Sequence, residues 1–125
     1  VLGDFDLLPL VVGDATPGQV AEVLQAVWGG PETLIVISSD LSHYLDYASA
    51  QTLDQQTGHA IEAMDPTTIG DAQACGRNPL KGLLEVARRR AMTVETLDLR
   101  NSGDTAGPRD KVVGYGAWAF CEKSS

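Results

Sequence analysis

Residues 33–44 have the sequence TLIVISSDLSHY, in which a short apolar run gives way abruptly to a polar segment. Continuous apolar runs of this length are typical of strands that are buried on both faces of a parallel sheet. The carboxyl ends of such strands open into a crevice ringed by loops, and open α/β sheets bind their ligands there. The stretch therefore predicts a central strand over residues 33–37, followed directly by a functional loop.

Strand and helix patterns alternate on both sides of this stretch. Helices are predicted from a capping box at Thr16, over residues 48–64, and from the cap-and-proline pair Asn78-Pro79. Further strands are predicted over residues 4–12, 93–99 and 111–120. The order β-α-β-α-α-β-β predicts an α/β fold with a mostly parallel sheet flanked by helices, in a single domain over residues 1–125. The last two strands, joined by a loop, could add an antiparallel edge.

The composition excludes several classes of function. A net charge of −8 argues against nucleic acid as a partner, because neutralising phosphates requires clustered basic side chains. The apolar runs are too short to span a membrane, and no signal-peptide pattern opens the chain. The two cysteines lie far apart in the sequence, which does not indicate a disulfide framework, so we expect a reduced, cytoplasmic protein.

The polar loop after the predicted central strand contains an aspartate and a histidine three residues apart, Asp40 and His43. In a turn, this spacing lets both side chains face one point. A carboxylate and an imidazole then form either a metal-binding pair or an acid–base pair. The alternative is that Asp40 caps a helix and His43 is simply exposed to solvent.

Cys75 lies just before the predicted third helix, next to Arg77. Helix N–H groups and a neighbouring guanidinium both favour a thiolate, which is a soft metal ligand and a good nucleophile. The alternative is a buried, inert cysteine, which is the commoner state of a free thiol.

Several blocks of the sequence together resemble the Memo-like proteins, which include AmmeMemoRadiSam system protein B of bacteria and archaea. The blocks are FDLLPLVVGD (5–14), SSDLSHY (38–44), ACGRNPL (74–80), NSGD (101–104) and VVGYGAWAF (112–120). They occur in the family's order and at its approximate spacing. Such a series is more specific than any single block.

This resemblance implies a fold like that of the class III extradiol dioxygenases, with a metal site in a crevice. It implies that Asp40, His43 and Cys75 are metal ligands and that iron or copper is the metal. Ser39, Arg77 and Asn101 lie in the same blocks and are expected to bind the ligand. The resemblance names no catalytic residue, and it leaves open whether the chain is an enzyme with redox or dioxygenase-like activity.

The resemblance also bears on partners and on the extent of the chain. Radical SAM and AMMECR-type proteins are the expected partners, and a homo-oligomer is a further expectation. The family's other metal-site histidines belong to N-terminal motifs that have no counterpart in this sequence, so we expect the C-terminal portion of a longer Memo-like domain. Two alternatives stay open: a non-catalytic module that binds a phosphopeptide or another anion through Arg77, and a protein that only interacts with a partner.

Overall fold

A computed structural model describes residues 2–123 of the chain. Its elements are three α-helices, three β-strands and two short 3-10 turns within those residues. In chain order these are α1 (Pro17–Val27), β1 (His43–Leu45), α2 (Tyr47–Glu62), a turn at Pro66–Thr68, α3 (Arg77–Arg89), β2 (Thr93–Asn101), a turn at Ser102–Asp104, and β3 (Val112–Cys121). Over residues 2–123, no helix has the length and apolar character that crossing a bilayer requires.

The described strands form a small antiparallel sheet in the order β1-β3-β2. The long β2–β3 pair runs from Thr93 opposite Cys121 to Asn101 opposite Gly114 and contains one irregularity between Thr96 and Asp98. On the other edge of β3, the short strand β1 pairs antiparallel with its first residues, with His43 opposite Val113. The α/β class is confirmed. The prediction of a mostly parallel sheet is wrong for the described residues. The sheet consists of the expected antiparallel pair, β2 and β3, with the short strand β1 added antiparallel on the other edge of β3.

The strands predicted over residues 4–12 and 33–37 are both wrong. Neither segment joins the β-ladders of residues 2–123. Residues 33–37 nevertheless keep the side-chain alternation of a strand, since Leu34 and Val36 are 83% and 76% exposed while Ile35 and Ile37 pack against the core. An apolar pattern records a preference for burial, but a strand also needs a neighbouring backbone to pair with. The predicted parallel sheet depended on these two segments, so it is not formed without them.

Helix α3 is the centre of the core. Its Leu84 packs with Ile61 and Ile69 on one side, where Trp118 and Phe120 of β3 cover the cluster. Leu83 and Val86 pack against Leu24 and its neighbours in α1 on the other side. Close contact between α1 and α3 depends on Gly82, because a β-carbon there would collide with the side chain of Val20.

Local capping chemistry explains where the helices begin. The capping box between Thr16 and Gln19 is confirmed as the start of α1. Helix α2 begins after Asp46, whose carboxylate accepts from the Ser49 N–H. The prediction that Asn78 caps α3 is wrong: Gly76 holds that position, and the Asn78 amide donates to the Gly13 carbonyl instead. Proline is tolerated in a first helical turn, so Pro79 does not prevent the earlier start.

Candidate metal site

Asp40, His43 and Cys75 lie close together beside the edge strand β1, which begins at His43. One ligand atom from each of the three side chains lies within 4.8 Å of the other two. Asp40 is half-buried, while His43 and Cys75 are exposed. His43 Nε2 lies 3.5 Å from Asp40 Oδ2, so the predicted convergence of this pair across three residues is present. The cluster therefore combines a carboxylate, an imidazole and a thiol on an accessible surface.

Backbone hydrogen bonds to β3 hold the loop that carries Asp40 and His43. The Leu41 N–H donates to the Gly114 carbonyl over 2.9 Å, and the Gly114 N–H donates to the Ser42 carbonyl over the same distance. The central pair of loop residues, Leu41 and Ser42, is fully buried. The two ligand residues on either side of that pair are thereby fixed at the edge of the sheet.

A second set of hydrogen bonds joins this loop to the segment before α3. The Cys75 N–H donates to the Asp40 carbonyl over 3.2 Å, and the Asp40 N–H donates to Cys75 Sγ over 3.2 Å. The Gly76 N–H donates to Ser39 Oγ over 2.8 Å. Gly76 allows this approach because a β-carbon on it would lie 2.6 Å from the Ser38 carbonyl oxygen. The thiol and the carboxylate are thus brought together by contacts between two distant parts of the sequence.

The three residues expected to bind a ligand have different surroundings. Ser39 adjoins the cluster: its hydroxyl donates to the Asp40 carbonyl over 2.6 Å and lies 3.8 Å from Cys75 Sγ. Arg77 pairs with a carboxylate, since its Nε lies 2.9 Å from Asp71 Oδ1. Asn101 is buried, and its side chain accepts from the Gly103 N–H to cap the following turn. Their roles as ligand-binding residues stay predictions.

Sequence reasoning missed Asp54, a residue that contacts the loop. Its carboxylate oxygen Oδ1 accepts from the Ser42 N–H over 3.0 Å, and the residue is only 3% exposed. The signal was present in the helix pattern. Asp54 stands on the stripe that also contains Ala50, Thr57 and Ile61, at helical spacing, where an acidic residue is out of place.

The donor set fits a transition metal better than a hard cation. Thiolates favour copper, zinc and iron, and imidazole suits the same ions, whereas magnesium and calcium prefer oxygen ligands alone. Three protein donors on an exposed surface leave coordination positions open for water, substrate or further ligands. The residues present therefore fit the iron or copper that the sequence resemblance implies.

The fold and this cluster define an α/β protein with a carboxylate, an imidazole and a thiol clustered at the edge of its sheet. The family model described as Memo-like protein matches residues 1–119. The chain belongs to the Memo-like family.

Curated relatives agree with this assignment. A MEMO1 family protein of Aeropyrum pernix is 31% identical in an alignment 126 positions long, gaps included, that covers 92% of this chain and 45% of that protein. One from Saccharolobus islandicus is 32% identical, covering 94% and 45% respectively, and one from Methanosarcina mazei is 30% identical, covering 91% and 47%. The chain spans about half the length of the curated relatives it matches.

Proposed function

We propose that Asp40, His43 and Cys75 bind a redox-active transition metal, iron or copper, and that this is the function of the chain within a Memo-like protein. One observation carries the proposal. A carboxylate oxygen, an imidazole nitrogen and a thiol sulfur from two distant segments lie within 4.8 Å of one another. The hydrogen bonds between residues 39–40 and 75–76 hold these three ligand types at one point.

Each of the three residues would have a definite task. Cys75 would bind the metal as a thiolate, so metal uptake would release the thiol proton to solvent. Asp40 would supply charge compensation, and its carboxylate would exchange its contact with His43 Nε2 for one with the metal. A bound iron or copper ion would supply Lewis-acid and one-electron chemistry at the surface. The Asp40 N–H, which donates to Sγ over 3.2 Å, would hydrogen-bond the thiolate.

The dioxygenase-like arrangement belongs to the same proposal. Residues 4–12 and 33–37 are mostly apolar and lie outside the sheet. They would become strands of a mostly parallel sheet once neighbouring backbone pairs with them. The relatives have more than half of their length outside the matched region, which is enough polypeptide to supply such neighbours and further metal ligands. The partners expected from the family, radical SAM and AMMECR-type proteins, and a homo-oligomer would act on that longer protein. A cytoplasmic location would keep Cys75 reduced.

The anion-binding alternative has less support from the geometry. Arg77 already has a carboxylate partner in Asp71, and the first N–H of the α3 region donates to Ser39. An incoming phosphate would have to compete with both. Metal binding would displace only the 3.5 Å contact between Asp40 Oδ2 and His43 Nε2.

Titration of the reduced, metal-free protein with Fe²⁺ under anaerobic conditions tests the proposal. Isothermal calorimetry should give one Fe²⁺ site per chain in the wild type. The affinity should fall by at least about 100-fold in each of the variants Asp40→Asn, His43→Gln and Cys75→Ser. Replacing residues that only hydrogen-bond a metal ligand already costs about 10–100-fold in affinity, so removing a ligand should cost at least as much. The matched controls are His59→Gln and Cys121→Ser, which change an exposed histidine and an exposed cysteine away from the cluster. Equal loss in the controls, or unchanged binding in Cys75→Ser, would refute the assignment.

A further inference from the structure

Asp54 is a buried carboxylate that the proposed metal chemistry does not use. It lies in α2 on the face that packs against β3, and 3% of its surface is exposed. Within residues 2–123 no salt bridge to Asp54 is formed by a basic side chain. Burying a carboxyl group away from cations is costly, and here the burial raises the pKa of Asp54. An apolar residue would satisfy the helix better, so the carboxyl group needs another explanation.

The contacts of Asp54 lead to the loop of the metal site. Oδ1 accepts from the Ser42 N–H over 3.0 Å. Oδ2 packs over the α-carbon of Gly114, where a β-carbon would collide with it. Gly114 in turn forms both of its backbone hydrogen bonds with the loop, to Leu41 and to Ser42. The carboxyl group therefore contacts both backbone partners that hold the loop.

The position of Ser42 makes this contact relevant to the metal ligands. Ser42 directly precedes His43 and follows Asp40 by two residues, so its backbone sets the separation of the two side chains. Its N–H is buried and has Asp54 as its acceptor. Without that acceptor, the N–H would be left unsatisfied in the interior, and the loop would move to reach water.

We propose that Asp54 is a positioning residue of the metal site, which holds the Leu41–Ser42 backbone so that Asp40 and His43 face Cys75. The expected effect of Asp54 on metal affinity rests on the proposed function. Its expected effect on the loop does not depend on a metal. It can be measured in the metal-free protein.

Two substitutions at residue 54 separate the effects. Asp54→Asn keeps the shape of the side chain and an oxygen that can accept from the Ser42 N–H, whereas Asp54→Leu keeps the branching at the γ-carbon but has no acceptor and is larger. Thr57→Val is the matched control, because Thr57 is buried one turn further along α2 and accepts from Gln73 instead of from the loop. Should Asp54→Leu fail to fold, Gly114→Ala replaces it, since its methyl group would displace the carboxyl group from Ser42.

Amide hydrogen exchange followed by NMR in the metal-free protein gives the first readout. In Asp54→Leu the Ser42 and Leu41 amides should exchange at least about fivefold faster than in wild type, as expected for one lost hydrogen bond, while the amides of α1 and α3 stay unchanged. Asp54→Asn and Thr57→Val should keep the wild-type ratio between loop and helix amides. Equal acceleration of all amides in Asp54→Leu would indicate a merely structural role and would overturn the inference.

Co²⁺ titration of the same variants gives the second readout. Asp54→Leu should bind Co²⁺ about 10–100-fold more weakly than wild type, and Asp54→Asn should recover most of the affinity. If Asp54→Leu binds Co²⁺ as tightly as wild type, the inference is overturned and the proposed function stays intact. Failure of the wild type to bind would refute the proposed function, and the exchange of the Ser42 amide would still decide whether Asp54 holds the loop.

Discussion

Gly76→Ala should lower the stability of the protein and weaken binding at the proposed metal site. The added β-carbon would lie 2.6 Å from the Ser38 carbonyl oxygen and 2.8 Å from Ser39 Cβ. The first of these contacts is about 0.8 Å shorter than ordinary van der Waals contact, and a backbone oxygen cannot swing aside. Residues 38–40 and 75–76 must therefore move apart. That movement would lengthen the Gly76 N–H bond to Ser39 Oγ and the Asp40 N–H bond to Cys75 Sγ.

The magnitude follows from these contacts. Overpacking costs about 1–3 kcal/mol, and each weakened hydrogen bond costs about 0.5–1.5 kcal/mol. Alanine restricts the unfolded chain and returns about 0.4–1 kcal/mol. We therefore expect the free energy of unfolding to fall by about 1–6 kcal/mol, together with a weaker affinity for Fe²⁺.

Urea unfolding followed by circular dichroism measures this change. Gly18→Ala is the matched control, because Gly18 lies in α1 and a β-carbon there would have its nearest neighbour at an ordinary 3.9 Å. It should raise the stability by about 0.4–1 kcal/mol. The reasoning is refuted if Gly76→Ala is as stable as wild type and binds Fe²⁺ equally well, since the two segments would then not be in contact.

Two further predictions concern the core and the acid limb of stability. Leu84→Ala should lower the free energy of unfolding by about 2–5 kcal/mol, because Leu84 is fully buried between α3 and the sheet, whereas Leu34→Ala at an 83% exposed position should change it by less than about 0.5 kcal/mol in the same urea experiment. Hydrogen bonds from the Ser49 side chain and backbone hold the pKa of Asp46 below its usual range. The ionised Asp46 therefore stabilises the folded protein fully above the pKa that this residue has in the unfolded chain, near 4, and this contribution is lost as the pH falls through its lower pKa in the folded protein. Asp46→Asn keeps a good helix cap and should flatten this acid decline of the melting temperature; an unchanged decline would contradict it.

Local chemistry could be predicted well from the sequence. The capping box at Thr16 and the last strand, β3, were predicted from short-range patterns, and both are present. The convergence of Asp40 with His43 follows from their spacing. The convergence of Cys75 with Asp40 and His43 followed only from the resemblance to Memo-like proteins. Its physical basis is the pairing of Ser39 with Gly76, which no local pattern encodes.

The predicted strands over residues 4–12 and 33–37 failed for a different physical reason. Their side chains have the right hydrophobicity, but a β-strand is defined by its neighbour, and a single sequence does not name that neighbour. Asp54 was missed because helix predictions count apolar positions. A polar residue on the buried face of a helix must have a partner in the interior, and that partner is not visible in the sequence.

The absorption spectrum of the Co²⁺ complex tests the central claim most directly. Cobalt prefers the same mixed ligands as the other first-row metals, and a bond from the Cys75 sulfur to cobalt gives an intense charge-transfer band that oxygen and nitrogen ligands do not. We expect one equivalent of Co²⁺ to produce this band in wild type and in Cys121→Ser, and we expect the band to disappear in Cys75→Ser. A cobalt spectrum without the sulfur band in wild type, or with the same band in Cys75→Ser, would show that Asp40, His43 and Cys75 do not form one metal site.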